Sequence, residues 1–202
     1  MVLDTLPVWD ETLSQEASKI FAMRNEFLSS LAPVCEEIHA ELSGGTEQLK
    51  ITSENSLSGT EEEIASLNFI ELKNSLDKDL KLGFTSFGPH RQDIKFTLNG
   101  VDVRHYGSQG QQRTVALALK LAEVEIFKNR TGEYPILILD DVLSELDKKR
   151  QKLLIKKVEG VQTILTATHV EKATFGQTPF IKTTIENGSI KRPKAKKQPK
   201  TV

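Results

Sequence analysis

The sequence predicts an α/β domain with a parallel-sheet core and flanking helices, preceded by an N-terminal helical segment. Two strand patterns, at residues 136–139 and 161–166, enclose a segment of helical periodicity that begins after Asp147. A strand, helix, strand order is typical of parallel sheets, whose ligands lie at the carboxyl ends of the strands. We expect residues 1–82 to be helical and residues 83–190 to hold the sheet.

Composition is that of an ordinary globular protein. The 202 residues are 38% hydrophobic and 27% charged, with a formal net charge of -1. Apolar runs are too short to cross a bilayer, and the N-terminus lacks the pattern of a secretory signal, so we expect a cytoplasmic protein with no membrane partner. Cys35 is the one cysteine, and we expect it to be a small buried residue.

The first 82 residues predict two helices. Apolar residues keep helical spacing from Val8 to Leu42, and Pro33 is expected to kink or divide that helix. After a short strand at 49–52 and a loop at 53–60, three acids from Glu61 suit the start of a second helix. The apolar face expected for this second helix comprises Ile64, Leu67, Ile70, Leu72, Leu76 and Leu80.

Two Asn-Gly pairs predict type I′ hairpins. Asn99 and Gly100 lie between alternating strands at 94–98 and 101–103, and residues 187 and 188 lie between strands at 181–185 and 189–190. Between the hairpins, a long helix is predicted from Gln111 to residue 129. The all-apolar strand at 136–139 is expected to be buried on both faces, with helices on each side.

The segment before the long helix is a candidate anion site. Gly107, Ser108 and Gly110 precede a helix whose first N–H groups are unpaired and whose dipole favours negative charge. The Ser108 hydroxyl can donate to a phosphate oxygen, and Gln111 can bond to a ribose. The alternative is that Ser108 only caps the helix, without a ligand.

Asp140 and Asp141 follow the buried strand and are candidates for metal binding and water activation. Consecutive side chains of a strand point to opposite faces, so the two carboxylates are expected to have different tasks. We assign Mg²⁺ binding to Asp140 and the orientation or deprotonation of an attacking water to Asp141. The alternative is that both acids cap the turn that follows.

Three segments together carry a family resemblance: FGPHRQD at 87–93, GSQGQQR at 107–113 and LDDVLSELD at 139–147. The last two resemble the signature motif, Walker B strand and D-loop of ATP-binding-cassette ATPases, in the branch related to SMC proteins. With the first, they resemble the C-terminal part of the bacterial RecF family, over nearly all of the chain. The implied fold is the C-terminal lobe of such an ATPase head.

The resemblance implies a mediator of DNA replication, repair and recombination in the response to DNA damage, including the SOS response. Such a protein forms an ATP-driven homodimer, binds single-stranded and gapped DNA, works with RecO and RecR, and helps to load recombinase. Its cofactors are ATP and Mg²⁺. The implied site residues are Ser108, Gly110 and Gln111 as nucleotide contacts in trans, Asp140 for Mg²⁺, Asp141 and His169 as catalytic residues, and Ser144 and Asp147 in the D-loop. His169 is either a switch histidine or an ordinary strand-end histidine.

A phosphate-binding loop of the form G-x-x-x-x-G-K-[ST] occurs nowhere in the 202 residues. Gly83 and Gly88 have the right spacing, but Pro89 follows. We therefore expect a fragment of a head, lacking the Walker A lobe, which binds ATP weakly and is inactive as an ATPase on its own. Two alternatives stay open: a non-enzymatic module that binds DNA or a partner, and the C-terminal half of another SMC-like head.

Residues 191–202 predict a disordered basic tail, because prolines and lysines replace apolar residues. The tail is a candidate DNA contact at the end of a flexible tether, and the alternative is that it only improves solubility. Its candidate DNA-binding residues are Lys191, Arg192, Lys194, Lys196 and Lys197.

Overall fold

The N-terminal helix is a single element that continues through its prolines. In the computed structural model, which describes residues 2–54, 56–169 and 171–191, helix α1 spans Val2–Ser43. The expected division at Pro33 does not occur. Pro33 is exposed, and the buried residues Leu31 and Cys35 anchor the turns on either side of it. No helix in the described ranges is long and apolar enough to cross a membrane.

An antiparallel sheet follows α1. Strands β1 (Leu49–Glu54), β2 (Asp93–Leu98) and β3 (Val101–Asp102) lie in that order. Asn99 and Gly100 have φ values of 51° and 83°, which confirms the predicted type I′ turn. Strand β3 is shorter than predicted, because Asp102 caps a short helix, α3 (Val103–Tyr106), by accepting the His105 N–H at 3.1 Å.

Helix α2 (Glu61–Leu82) lies along α1 and starts at the predicted acids. Thr60 and Glu63 form a capping box around its first turn. Only Ile64, Asn68 and Leu72 are buried, so much of the predicted apolar face is wrong. Because α2 packs mainly against α1, that contact buries only one narrow stripe of α2, formed by residues four positions apart. Four predicted members are exposed instead: Leu67, Ile70, Leu76 and Leu80.

The FGPHRQD segment at 87–93 connects α2 to β2 and packs on α1. The Phe87 ring stacks on Phe21 at 6.5 Å between centroids. Arg24 of α1 donates to the Pro89 carbonyl and to the Gln92 side chain. The short 3₁₀ turn Pro89–Arg91 is thereby fixed to the middle of the helix pair.

The long helix α4 (Gln109–Thr131) is the centre of the core, and its prediction is confirmed. Gly132 ends it in the left-handed conformation, with φ 81°. Ala118 and Ala122 of this helix are fully buried in the main core. The main core also contains four residues of α1: Leu31, Cys35, Ile38 and Leu42.

The predicted parallel sheet is present, and it has two strands in the described residues. Strands β4 (Leu137–Leu139) and β5 (Thr163–Leu165) pair in parallel, and α5 (Lys148–Lys157) connects them. The prediction that β4 is buried on both faces is wrong. Ile138 is 67% exposed, whereas its neighbours in the strand are buried in the core. The core helices cover one face of the strand pair, and the other face is open.

The second hairpin closes the described chain. After a short helix α6 (Lys172–Phe175), strands β6 (Thr184–Glu186) and β7 (Ser189–Lys191) pair around Asn187 and Gly188. Their φ values of 49° and 72° confirm the type I′ turn. Lys191, predicted to lie in the tail, ends β7 instead and forms an ion pair with Glu186. The other predicted tail contacts, Arg192, Lys194, Lys196 and Lys197, lie outside the described residues.

Candidate functional site

Ser108 begins the candidate site as the N-cap of α4. Its hydroxyl accepts the Gln111 N–H at 3.3 Å, and Gln111 Oε1 accepts the Ser108 N–H at 2.8 Å. Ser108 therefore does cap α4, as the alternative interpretation expected. Because the hydroxyl oxygen is the acceptor in this cap, the hydroxyl hydrogen is still available to a ligand. Ser108 is exposed beside the unpaired N–H groups of the first turn, which suits an anion.

The fold requires glycine at only one of the two signature glycine positions, 107 and 110. A Cβ atom at Gly107 would lie 2.5 Å from the Val103 carbonyl oxygen, so the fold itself requires glycine there. A Cβ atom at Gly110 would meet only Arg150 Nη1, at an ordinary 3.8 Å. Packing in this chain therefore does not require glycine at 110.

Asp140 and Asp141 lie at the carboxyl end of β4, and Thr166 forms a different hydrogen bond with each of them. Thr166 Oγ1 donates to Asp140 Oδ1 and accepts the Asp141 N–H at 3.0 Å. Asp141 has a left-handed backbone, with φ 49°, and its carboxylate makes no capping hydrogen bond in the turn that follows. The capping alternative is thus not realised for Asp141. Sequence reasoning missed Thr166, whose place at the end of β5 was the available signal.

The D-loop is joined both to its own helix and to the signature helix. Asp147 caps α5 by accepting the N–H groups of Lys149 and Arg150, each at 2.9 Å. These hydrogen bonds, that of Arg150 first, lower the pKa of Asp147. Glu145 pairs with Arg113 of α4 at 3.2 Å, a contact that sequence reasoning missed. This exposed ion pair places the D-loop beside the signature helix.

The remaining predicted residues lie on exposed loops near these elements. Ser144 donates to the Asp141 carbonyl at 2.8 Å, within the 3₁₀ turn Val142–Glu145. His169 is exposed, on the loop that leaves β5. Within the described ranges, no cluster of three or more His, Cys, Asp or Glu residues could hold a metal ion. The exposed Asp140 carboxylate suits Mg²⁺ that is held mostly by water and phosphate oxygens.

A buried histidine lies behind the signature. His39 of α1 is fully buried, and its Nε2 atom is 3.7 Å from Glu47 Oε2. Glu47 Oε1 accepts a hydrogen bond from Gln111 Nε2 at 2.9 Å. Burial lowers the pKa of His39, while Glu47 opposes that shift and Arg150 adds to it. Sequence reasoning missed this set, because its members come from three separate elements.

Comparison with known proteins identifies the sequence. The DNA replication and repair protein RecF of Lachnoclostridium phytofermentans is 48% identical over 171 residues, which cover 85% of this chain and 46% of that protein. RecF of Halothermothrix orenii is 43% identical over 197 residues, covering 94% of this chain and 52% of that protein. The chain corresponds to the C-terminal part of RecF. It spans about half the length of the RecF proteins it matches. No protein-family model matches it.

Solved structures agree with the assignment to RecF. The recombination mediator protein RecF with ATP, from the RecFOR pathway, matches with a TM-score of 0.76 and 38% identity, covering 95% of this chain and 51% of that one. An SMC head bound to the C-winged helix domain of ScpA matches with a TM-score of 0.51 at 16% identity, over 90% of this chain and 48% of that one, and supports the fold alone. The predicted fold class is confirmed.

The two signature glycines should respond differently to alanine. Gly110→Ala is expected to leave the free energy of unfolding unchanged or to raise it by up to about 1 kcal/mol, because alanine favours a helix. Gly107→Ala should lower it by roughly 1–3 kcal/mol, because the new methyl group overlaps the Val103 carbonyl. Urea unfolding of both variants measures this. Equal losses would contradict the distinction.

His39 should make stability depend on pH. Because its folded-state pKa lies below the ordinary value of 6.5, the unfolded chain binds the proton first as the pH falls. The free energy of unfolding should therefore be fully retained above pH 6.5 and should decrease below it. Urea unfolding between pH 7.5 and 5.5 should show a smaller decrease for His39→Gln. The exposed control His105→Gln should keep the wild-type slope, and identical slopes in all three proteins would contradict the prediction.

Proposed function

We propose that this RecF-like chain supplies the signature face of an ATP-gated homodimer acting in DNA replication and repair. In this proposal the dimer binds DNA at single-strand gaps, works with RecO and RecR, and helps to load recombinase in the cytoplasm. The observation that carries it is the exposed Ser108 at the start of α4, tied to the D-loop by the Arg113 and Glu145 pair. The similar RecF structures, described with ATP or ATPrS and within the RecFOR pathway, support it.

The chemistry follows from where charge and hydrogen-bond donors lie. Ser108 and the first N–H groups of α4 would contact the γ-phosphate of ATP held by the other subunit, and Gly110 would allow close approach. Asp141, with no capping hydrogen bond, would orient the attacking water. Asp140 would hold Mg²⁺, which neutralises phosphate charge when bound. His169 would contact the γ-phosphate from the β5 end, and Asp147 would connect the two sites of the dimer.

Hydrolysis can be tested by fusing this chain to a RecF segment that carries the phosphate-binding loop. ATP turnover with gapped DNA should then appear, and Ser108→Arg or Asp141→Asn should lower it about 100-fold or more, because each removes a transition-state contact. Phosphate release measures the rate. Ser66→Arg and Asp77→Asn on α2 are matched controls that should keep turnover. Unchanged turnover in both site variants would overturn the assigned roles.

A second candidate function is DNA or partner binding without hydrolysis, through α5. Six of the ten residues in this helix are basic. Lys148, Arg150 and Lys157 are engaged in ion pairs, whereas Lys152 and Lys156 are exposed. Exposed lysines on one helix suit contact with phosphates.

The salt dependence of DNA binding tests this candidate on the full chain. The slope of log affinity against log salt should become shallower in Lys152→Glu/Lys156→Glu, or after removal of residues 192–202. The expected change is roughly 0.7–0.9 for each DNA phosphate that the variant no longer neutralises. Fluorescence anisotropy with gapped DNA at several salt concentrations measures the slope. Asp141→Asn and the control Lys78→Glu/Lys81→Glu should keep it. If the slope stays unchanged in the α5 and tail variants, neither segment contacts DNA.

A further inference from the structure

We propose that Glu47 is a positioning residue for the signature motif, because its carboxylate holds the Gln111 side chain that in turn holds Ser108. This inference rests on the proposed function, since it assigns a task in the presentation of Ser108 to nucleotide. Glu47 lies between α1 and β1, far from the signature in sequence, and none of the candidate motifs includes it.

The contacts of Gln111 fix its side-chain amide in one orientation. Its Oε1 atom accepts the Ser108 N–H at 2.8 Å, and its Nε2 atom donates to Glu47 Oε1 at 2.9 Å. An N–H group can only donate and a carboxylate can only accept, so a flipped amide would break both hydrogen bonds. The position of the Ser108 backbone is therefore linked to the position of the Glu47 carboxylate.

Glu47 is largely buried, unlike a surface glutamate. Its side chain is 16% exposed, and its Oε2 atom lies 3.7 Å from Nε2 of the fully buried His39. Within the described residues, Glu47 Oε2 and both His39 ring nitrogens have no hydrogen-bond partner. A carboxylate with so little access to water has few alternative positions, so it can act as a rigid support for Gln111.

The link connects the signature to a different part of the molecule from its other contacts. Glu145 of the D-loop pairs with Arg113 of the signature, and Arg150 of α5 lies near Gly110. Glu47 and His39 approach the signature from the C-terminal end of α1. A change in the position of that end relative to α4 would therefore reach Ser108 through Glu47.

Hydrogen exchange on the full chain tests the link without nucleotide. Glu47→Leu removes the acceptor and should speed exchange of the Ser108 N–H about tenfold, because Gln111 is no longer held. Glu47→Gln keeps a carbonyl oxygen for Gln111 and should retain the wild-type rate. The control Glu37→Leu, on the exposed side of α1, should also retain it. Exchange in the middle of α4 separates a local effect from general loss of stability.

The fusion protein with the phosphate-binding loop tests the consequence for turnover. Glu47→Leu should lower turnover about tenfold, and Glu47→Gln should restore it. Unchanged Ser108 exchange in Glu47→Leu would overturn the link. Faster exchange with unchanged turnover, in a protein that Ser108→Arg inactivates, would overturn the positioning role. If the proposed function itself is wrong, Ser108→Arg will leave turnover unchanged. The exchange experiment then still decides whether Glu47 positions Ser108.

Discussion

The packing of α4 against α1 is the constraint on which the candidate site depends. Ala118 and Ala122 of α4 and Cys35 and Ile38 of α1 are buried in the same core. Because protein interiors are close-packed, two helices that share such a core have little room to slide past each other. The start of α4, with Ser108, is therefore held relative to the end of α1, with His39.

Two sets of interactions support the signature at the start of α4. Glu47 holds Gln111 from the side of α1, and Arg113 pairs with Glu145 of the D-loop on the other side. The Asp140 carboxylate is fixed separately, by Thr166 at the end of the neighbouring strand. Such support around exposed functional groups would favour the proposed closure on a nucleotide. The open face of β4, with exposed Ile138, is a further surface that another segment could cover.

Structural features that depend on neighbouring residues in the sequence were predicted correctly. The Asn-Gly turns and the acidic start of α2 at Glu61 depend on neighbouring residues, and the structure confirms them. Burial depends on what packs against an element, so the predicted burial of Ile138 and Leu67 was wrong. Long-range partners were also missed, because Gln111 and Glu47 are 64 residues apart and Thr166 and Asp140 are 26 apart. A single sequence carries no period or spacing that reports such pairs.

Complementation between two inactive fusion proteins tests most directly whether the signature acts in trans. One carries Ser108→Arg with an intact phosphate-binding loop, and the other carries an intact Ser108 with its phosphate-loop lysine replaced by alanine. If Ser108 acts on ATP held by the other subunit, each mixed dimer contains one complete site, and ATP hydrolysis should reappear on mixing. A mixture that stays as inactive as its two components would contradict a signature that works across the dimer.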